Sequence, residues 1–167
     1  MKIAAVFGGA RKNTDSKEYL ETVVIGNILA NHGYKVKSGG YHGIMEAISK
    51  GVTEMGGVAI GHTCRIFPSI KGNKYLTETL PADDIYDRLR MLIDNTDIFI
   101  LQRGGLGTLA ELFLTLDLVR KMKDKPKILL IGEFWNDVMK AISPLLNQGE
   151  ENLYTIITDI NTIKDYL

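Results

Sequence analysis

The run Gln102-Arg103-Gly104-Gly105-Leu106-Gly107-Thr108-Leu109-Ala110-Glu111 carries residue types that could hold a phosphate ester and act on the sugar attached to it. It follows the apolar run Asp97-Ile98-Phe99-Ile100-Leu101, which reads as a buried parallel strand, and precedes Leu112-Phe113-Leu114-Thr115-Leu116, which reads as a helix. A glycine-rich turn between a strand and a helix lets backbone N–H groups crowd round an anion. The helix N-terminus adds partial positive charge at the same place. Phosphate is the expected anion, and Glu111 sits one helical turn from it. A carboxylate beside a sugar's anomeric carbon can stabilise an oxocarbenium-like transition state, attack it, or position water. The residue type does not choose among these. Thr108-x-x-Glu111 also fits a capping box, with Thr108 capping the helix and Glu111 reaching back to a backbone N–H.

Other residues gain or lose interest against this run. The spacing is neither G-x-G-x-x-G nor G-x-x-x-x-G-K-[ST], and no lysine follows Gly107, which argues against a dinucleotide or NTPase turn. Arg88 lies off the apolar face made by Ile85, Leu89 and Leu92 and can reach a phosphate or a base; Arg90 is a similar surface candidate. His42 sits in a second glycine-rich turn, where ligand contact and plain solvent exposure are both open. His62 and Cys64 are two apart with no second pair to complete a zinc site, so no metal is expected. Ser16, Ser38, Ser49, Ser69 and Ser143 show no nucleophile elbow, and Trp135 reads as a core anchor.

These residues need a scaffold, and strands alternating with helices supply one. Strands are expected at 2–7, 34–37, 58–61, 97–101, 127–131 and 153–157. Helices are expected at 17–32, 44–55, 84–95, 108–122 and 134–147, with a short one at the C-terminus. In the first helix Leu20, Val23, Val24, Ile28 and Leu29 recur at helical spacing. Residues 62–82 read as a long polar loop, a length more often functional than idle. The alternation predicts an α/β, Rossmann-like doubly wound parallel sheet in one three-layer domain over 1–167. Ligands of such sheets bind beyond the carboxyl ends of the strands. Three glycine-rich turns, at Gly8-Gly9, Gly39–Gly43 and Gly104–Gly107, fall there and are expected to converge on one rim.

Lysine plus arginine, 20, equals aspartate plus glutamate, 20, which gives no support for a nucleic-acid or membrane surface. The single cysteine cannot form an intrachain disulfide and suits a reducing, cytoplasmic compartment. The start Met1-Lys2-Ile3-Ala4-Ala5-Val6-Phe7 is too short for a signal peptide, and no apolar stretch approaches the ~18 residues of a membrane helix.

Phe7-Gly8-Gly9-Ala10, Ser38-Gly39-Gly40-x-x-Gly43-Ile44-Met45, Arg88 and Gly104-Gly105-x-Gly107-Thr108-x-x-Glu111 occur in one order. Together they resemble the LOG family, long labelled lysine decarboxylase-like, over nearly the whole chain. Its signature is P-G-G-x-G-T-x-x-E with an arginine one helix upstream. The resemblance implies a Rossmann-like nucleoside 5′-monophosphate phosphoribohydrolase, releasing free base and ribose 5-phosphate from AMP or an N6-substituted AMP, with no cofactor. It implies Arg88 and Glu111 as catalytic residues. It implies a nucleotide against Gly8, Gly9, Gly39, Gly40, Gly43 and Met45, and against Arg103, Gly104, Gly105, Leu106, Gly107 and Thr108. It also implies a homodimer or larger homo-oligomer, paired through helices 84–95 and 108–122. The sequence departs from the pattern at Arg103, in place of proline, at Leu89, in place of lysine, and at Glu46, in place of glycine. These departures resemble a divergent bacterial branch in which some relatives are molybdenum-cofactor carrier-like, so the alternative is a non-catalytic nucleotide- or cofactor-binding protein.

Overall fold

A parallel strand covered on both faces has to be apolar throughout, and the runs Ala4–Phe7, Ile98–Leu101 and Ile128–Ile131 meet that condition; every one of their residues is buried. In the computed structural model, which describes residues 2–167, they form the centre of one sheet. The elements are β1 (Ile3–Phe7), α1 (Lys17–Asn31), β2 (Lys35–Ser38), α2 (Ile44–Glu54), β3 (Ala59–Gly61), β4 (Glu78–Thr79), α3 (Ile85–Ile93), β5 (Ile98–Leu101), α4 (Leu106–Val119), β6 (Lys127–Ile131), α5 (Phe134–Ile142) and β7 (Thr155–Ile157). Short 3₁₀ segments cover Ser143–Leu145, Glu150–Asn152 and Ile160–Tyr166. All seven strands run parallel in the order β4-β3-β2-β1-β5-β6-β7. This is the doubly wound, Rossmann-like α/β fold, and its order reverses between β1 and β5.

Alternate residues of each strand feed two cores. Ala4, Val6, Ile98, Ile100, Leu129 and Ile131 pack under α1, α2 and the C-terminal 3₁₀ segment. Ala5, Phe7, Phe99, Leu101, Ile128 and Leu130 pack under α3, α4 and α5 with the fully buried Trp135. Phe7 and Phe99 stack across β1 and β5, ring centroids 6.2 Å apart. Burying such a side chain is worth about 1.5–3 kcal/mol, and this pair fixes the two strands whose ends carry glycine turns.

Several boundaries and one face differ from the sequence expectation. The first helix turns Tyr19, Thr22, Ile25, Gly26 and Leu29 inward, while Leu20 and Val24 lie exposed. The cause is the contact between α1 and α2, which is close enough that a Cβ at Gly26 would lie 2.8 Å from the Ile48 carbonyl and one at Gly51 would overlap Val23. The smallest residues mark this seam, so apolar spacing alone missed Gly26 and counted in Leu20 and Val24, while Leu29 is buried as its spacing suggests. The long segment 62–82 is not all loop: Glu78–Thr79 adds β4 as an edge strand on β3. The helix expected over 134–147 ends at Ile142, where Pro144 takes the chain into a 3₁₀ turn. The last strand is only Thr155–Ile157, because a 3₁₀ turn occupies Glu150–Asn152.

One buried charge ties the sheet to α3. Lys37 of β2 is 4% exposed, and its Nζ donates to the carbonyls of Met91 at 2.9 Å and Asp94 at 2.6 Å. These are orphan acceptors at the helix's C-terminal end, where positive charge is favoured. Burial still pushes the amine down to about 8.

Candidate functional site

The ends of β1 and β5 lie side by side, so the turns after them share a rim. The Gly9 N–H donates to the Arg103 carbonyl at 3.2 Å, and the Ile44 N–H donates to the Gly9 carbonyl at 3.0 Å. A cavity of about 610 Å³ opens above them. Its lining includes Gly8, Gly9, Met45, Arg88, Arg103, Gly104, Gly105, Leu106, Gly107, Thr108 and Glu111, together with Ala10, Arg11 and Lys12. Gly39, Gly40 and Gly43, expected on the same rim, do not line it. Their turn backs the cavity instead: a Cβ at Gly39 would overlap the Arg88 guanidinium, and one at Gly43 would overlap the Gly9 carbonyl. Arg90 pairs with Asp87 on the exposed side of α3. His42 faces Glu46 at 3.3 Å and is likewise outside the cavity.

The start of α4 decides what the glycine turn can do. Gly105, not Thr108, is the N-cap, and no side chain caps this helix. Thr108 falls at the third helical position, buried against Gly104. The capping box therefore does not form, and Glu111 is released from that duty. The first N–H groups of α4 have no acceptor within the helix. With the dipole behind them they present a donor cradle to the cavity. A Cβ at Gly105 or Gly107 would meet no atom within 4 Å, so these glycines leave open space rather than relieve a clash.

Glu111 and Arg88 face the cavity from different helices. Burial pushes the half-buried Glu111 carboxyl up to about 7, against the opposing pull of Arg88. The side chain is thus poised to gain or lose a proton near neutrality. Arg88 is braced from three sides. Its Nε donates to the His62 carbonyl at 2.7 Å, its guanidinium lies 5.6 Å from the Tyr41 ring centroid, and Gly39 makes room beneath it. His62 itself is buried, and burial together with Lys37 and Arg88 pushes its imidazole down to about 4, so it is neutral near pH 7. The long segment that looked functional serves this bracing: Asn73 Nδ2 donates to the Tyr41 carbonyl at 2.9 Å and holds the turn beneath Arg88. Arg103 lays its guanidinium over Phe134, 4.6 Å from the ring centroid.

Arg11 and Lys12 were missed by the sequence reading, although two cations directly after Gly8-Gly9-Ala10 were a usable signal. Lys12 is held by Glu18 at 2.8 Å. Among the described residues, no three His, Cys, Asp or Glu side chains cluster as a metal-ligand set, and no helix is long and apolar enough to cross a membrane.

Comparison with known proteins places this architecture. A family model described as the SLOG cluster4 family matches residues 1–144. The cytokinin riboside 5′-monophosphate phosphoribohydrolase LOG5 of Arabidopsis thaliana is 30% identical over 121 residues, 68% of this chain. The chain spans about half the length of that relative, 51%. The molybdenum cofactor binding protein of Rippkaea orientalis superposes with a TM-score of 0.79 at 20% identity, covering 98% of this chain and 93% of that one. The X-ray structure of TM1055, a structural-genomics target, superposes with a TM-score of 0.78 at 26% identity, covering 99% and 97%.

Proposed function

The chain belongs to the SLOG cluster4 family, and from that premise we propose that it is a nucleoside 5′-monophosphate phosphoribohydrolase, cleaving the N-glycosidic bond of AMP or an N6-substituted AMP. One observation carries the reading: Glu111 and Arg88 line the same cavity as the uncapped N-terminus of α4. The 5′-phosphate sits on the N–H groups of Leu106, Gly107 and Thr108, within reach of the Arg11, Lys12 and Arg103 cations. The ribose then extends toward Glu111. As a carboxylate, Glu111 stabilises positive charge at C1′ as the bond to the base breaks, and takes a proton from the attacking water. The water oxygen joins C1′. The departing base leaves on its own electron pair, is stabilised by the Arg88 guanidinium, and gains a proton equivalent to the one water lost. The similarity to LOG5 supports the substrate class. Exposed Tyr86 on α3 and exposed Leu106 and Phe113 on α4 offer those helices as the contact with a second copy, the homodimer the resemblance implies.

The test is base release from a panel of nucleoside monophosphates by wild type and Glu111→Gln. Glutamine keeps the shape, so the variant is expected to fold and bind AMP while losing at least ~100-fold in rate, the scale of a preorganised electrostatic group. An equally active Glu111→Gln protein refutes the catalytic role.

The cation set favours a second reading. Four basic side chains, Arg11, Lys12, Arg88 and Arg103, surround the cavity, more than one monophosphate needs. A carrier of a phosphorylated cofactor would use them for retention without chemistry. Tight binding with no base released from any monophosphate is the outcome that selects it.

A further inference from the structure

Arg103 walls two cavities. Behind it, over the carboxyl ends of β5, β6 and β7, lies a second space of about 320 Å³. Its lining includes Gln102, Glu21, Glu133, Phe134 and Thr158. The partition between the two spaces is thin and made of side chains: the Arg103 guanidinium resting on Phe134, and the Lys12–Glu18 ion pair at 2.8 Å. The linings differ in character. The first cavity has four cations and Glu111, whereas the second sets the carboxylates of Glu18, Glu21 and Glu133 against Lys17 and Arg103. Glu133 is the one of the three with no ion pair to a lysine or arginine among the described residues.

Topology gives this arrangement meaning. A doubly wound sheet has two halves that meet where strand order reverses, and a ligand with two parts can straddle that point. The first cavity leans over the β1–β2 half, where Met45 and Arg88 stand. The second lies over the other half. Arg103, directly before the glycine turn that begins α4, lines both, so a phosphate held on that turn in the first cavity lies one residue from the entrance to the second. No G-x-G-x-x-G turn is present, and the cradle is the α4 N-terminus after β5 rather than a turn after β1.

We propose that the second cavity is a subsite for an amino-bearing heterocycle joined through the phosphate, so that dinucleotides with a 5′,5′-pyrophosphate bridge are ligands of this protein. The proposal rests on the phosphate binding at α4. Entry of that phosphate gives Arg103 a better partner than an aromatic face, because a charge-assisted bond to phosphate is bidentate and strong. The guanidinium swings from Phe134 to the phosphate. The exposed ring face is then free to stack on a base. Glu133 and Glu21 accept hydrogen bonds from an exocyclic amino group, which adenine has and uracil lacks. Gln102 is 2% exposed, and its Nε2 reaches Glu21 only at 3.5 Å. It exchanges that long contact for a base at little cost, while its Oε1 keeps the Arg103 N–H at 3.0 Å.

The experiment is isothermal titration of the full chain with AMP, with diadenosine 5′,5′-pyrophosphate, and with its adenosine–uridine counterpart. The diadenosine compound is expected to bind at least about tenfold tighter than AMP, and the mixed compound to gain less. Phe134→Leu and Glu133→Gln are expected to erase that gain while leaving AMP affinity within about twofold. Glu133 is exposed, so its variant decides the matter if Phe134→Leu fails to fold. Equal affinity of wild type for AMP and the diadenosine compound overturns the subsite alone. So does a loss of AMP binding in Glu133→Gln equal to its loss of dinucleotide binding. Failure of AMP itself to bind overturns the phosphate reading of the first cavity and this proposal with it.

Discussion

The turn after β2 and the turn after β5 look alike in sequence, each with three glycines at the end of a strand, yet they use glycine for opposite ends. In Ser38–Gly43 the glycines answer to the protein. Gly40 and Gly43 have φ of +76° and +65°, Gly39 lies against Arg88, and Gly40 lies against Gly61. In Gly104–Gly107 only Gly104 is crowded, by Thr108, and Gly105 and Gly107 face nothing. Neither has a positive φ or a crowding neighbour that calls for glycine, which suits the proposed phosphate site. One turn shapes the arginine, and the other is the proposed seat of the ligand.

The sharpest way to break this contrast is Gly39→Ala. The new methyl overlaps the Arg88 guanidinium and lies 2.7 Å from the Met45 sulfur. Arg88 must leave its brace, so base release is expected to fall by roughly 100-fold, with about 1–3 kcal/mol of stability lost to overpacking. The double variant Gly39→Ala/Arg88→Ala should then cost less than the sum of the two singles, measured by denaturant unfolding. Strict additivity would mean that the turn does not act through Arg88.

The ligand-facing side has its own signature, in pH. The folded-state carboxyl of Glu111 is raised by burial to about 7 from the ordinary glutamate value of 4.5. Between those values the folded protein holds a proton that the unfolded chain has lost. Stability from this group is therefore full below about 4.5 and declines as pH rises through about 7. Glu111→Gln removes the decline. With screening by solvent at a half-buried group, the variant is expected to gain about 1–2 kcal/mol at pH 8 and nothing at pH 4. Thermal melting of both proteins across that range checks it, and parallel curves would place the carboxyl in ordinary solvent.

The smallest effect has two signs. Gly107 lies in the first turn of α4 with nothing near its Cβ position. Gly107→Ala should raise stability by up to about 1 kcal/mol through helix propensity. The same methyl projects into the cradle and should weaken AMP binding several-fold, about 1 kcal/mol. A variant that melts higher and binds as well as wild type would show that the space at Gly107 serves no ligand.

Strand runs such as Ile98–Leu101 and Lys127–Ile131 were legible because both faces of a parallel strand demand apolar residues. The parallel, doubly wound character of the sheet followed from alternation with helices; the strand order comes from the structure. The β4 strand was not legible: two exposed residues, Glu78 and Thr79, carry no pattern, and only pairing with β3 makes them a strand. At the site, Gly104-Gly105-x-Gly107 announced the cradle, but two glycines placed the helix start at Thr108. In fact Leu106 and Gly107 are already helical, and that shift of two residues removes the capping box. That the Gly39–Gly43 turn backs the cavity instead of lining it could not be read. It depends on where Arg88, 49 residues further along than Gly39, lays its guanidinium.

Lys37 has a consequence for how the protein can be watched in solution. The burial that makes its amine easier to deprotonate also seals it under the end of α3, so it reacts only in an opened form, and there as an ordinary lysine. Acylating reagents can reach it only when that helix end lifts. Its rate of covalent labelling therefore counts the openings of the element that carries Arg88, in a molecule otherwise at rest.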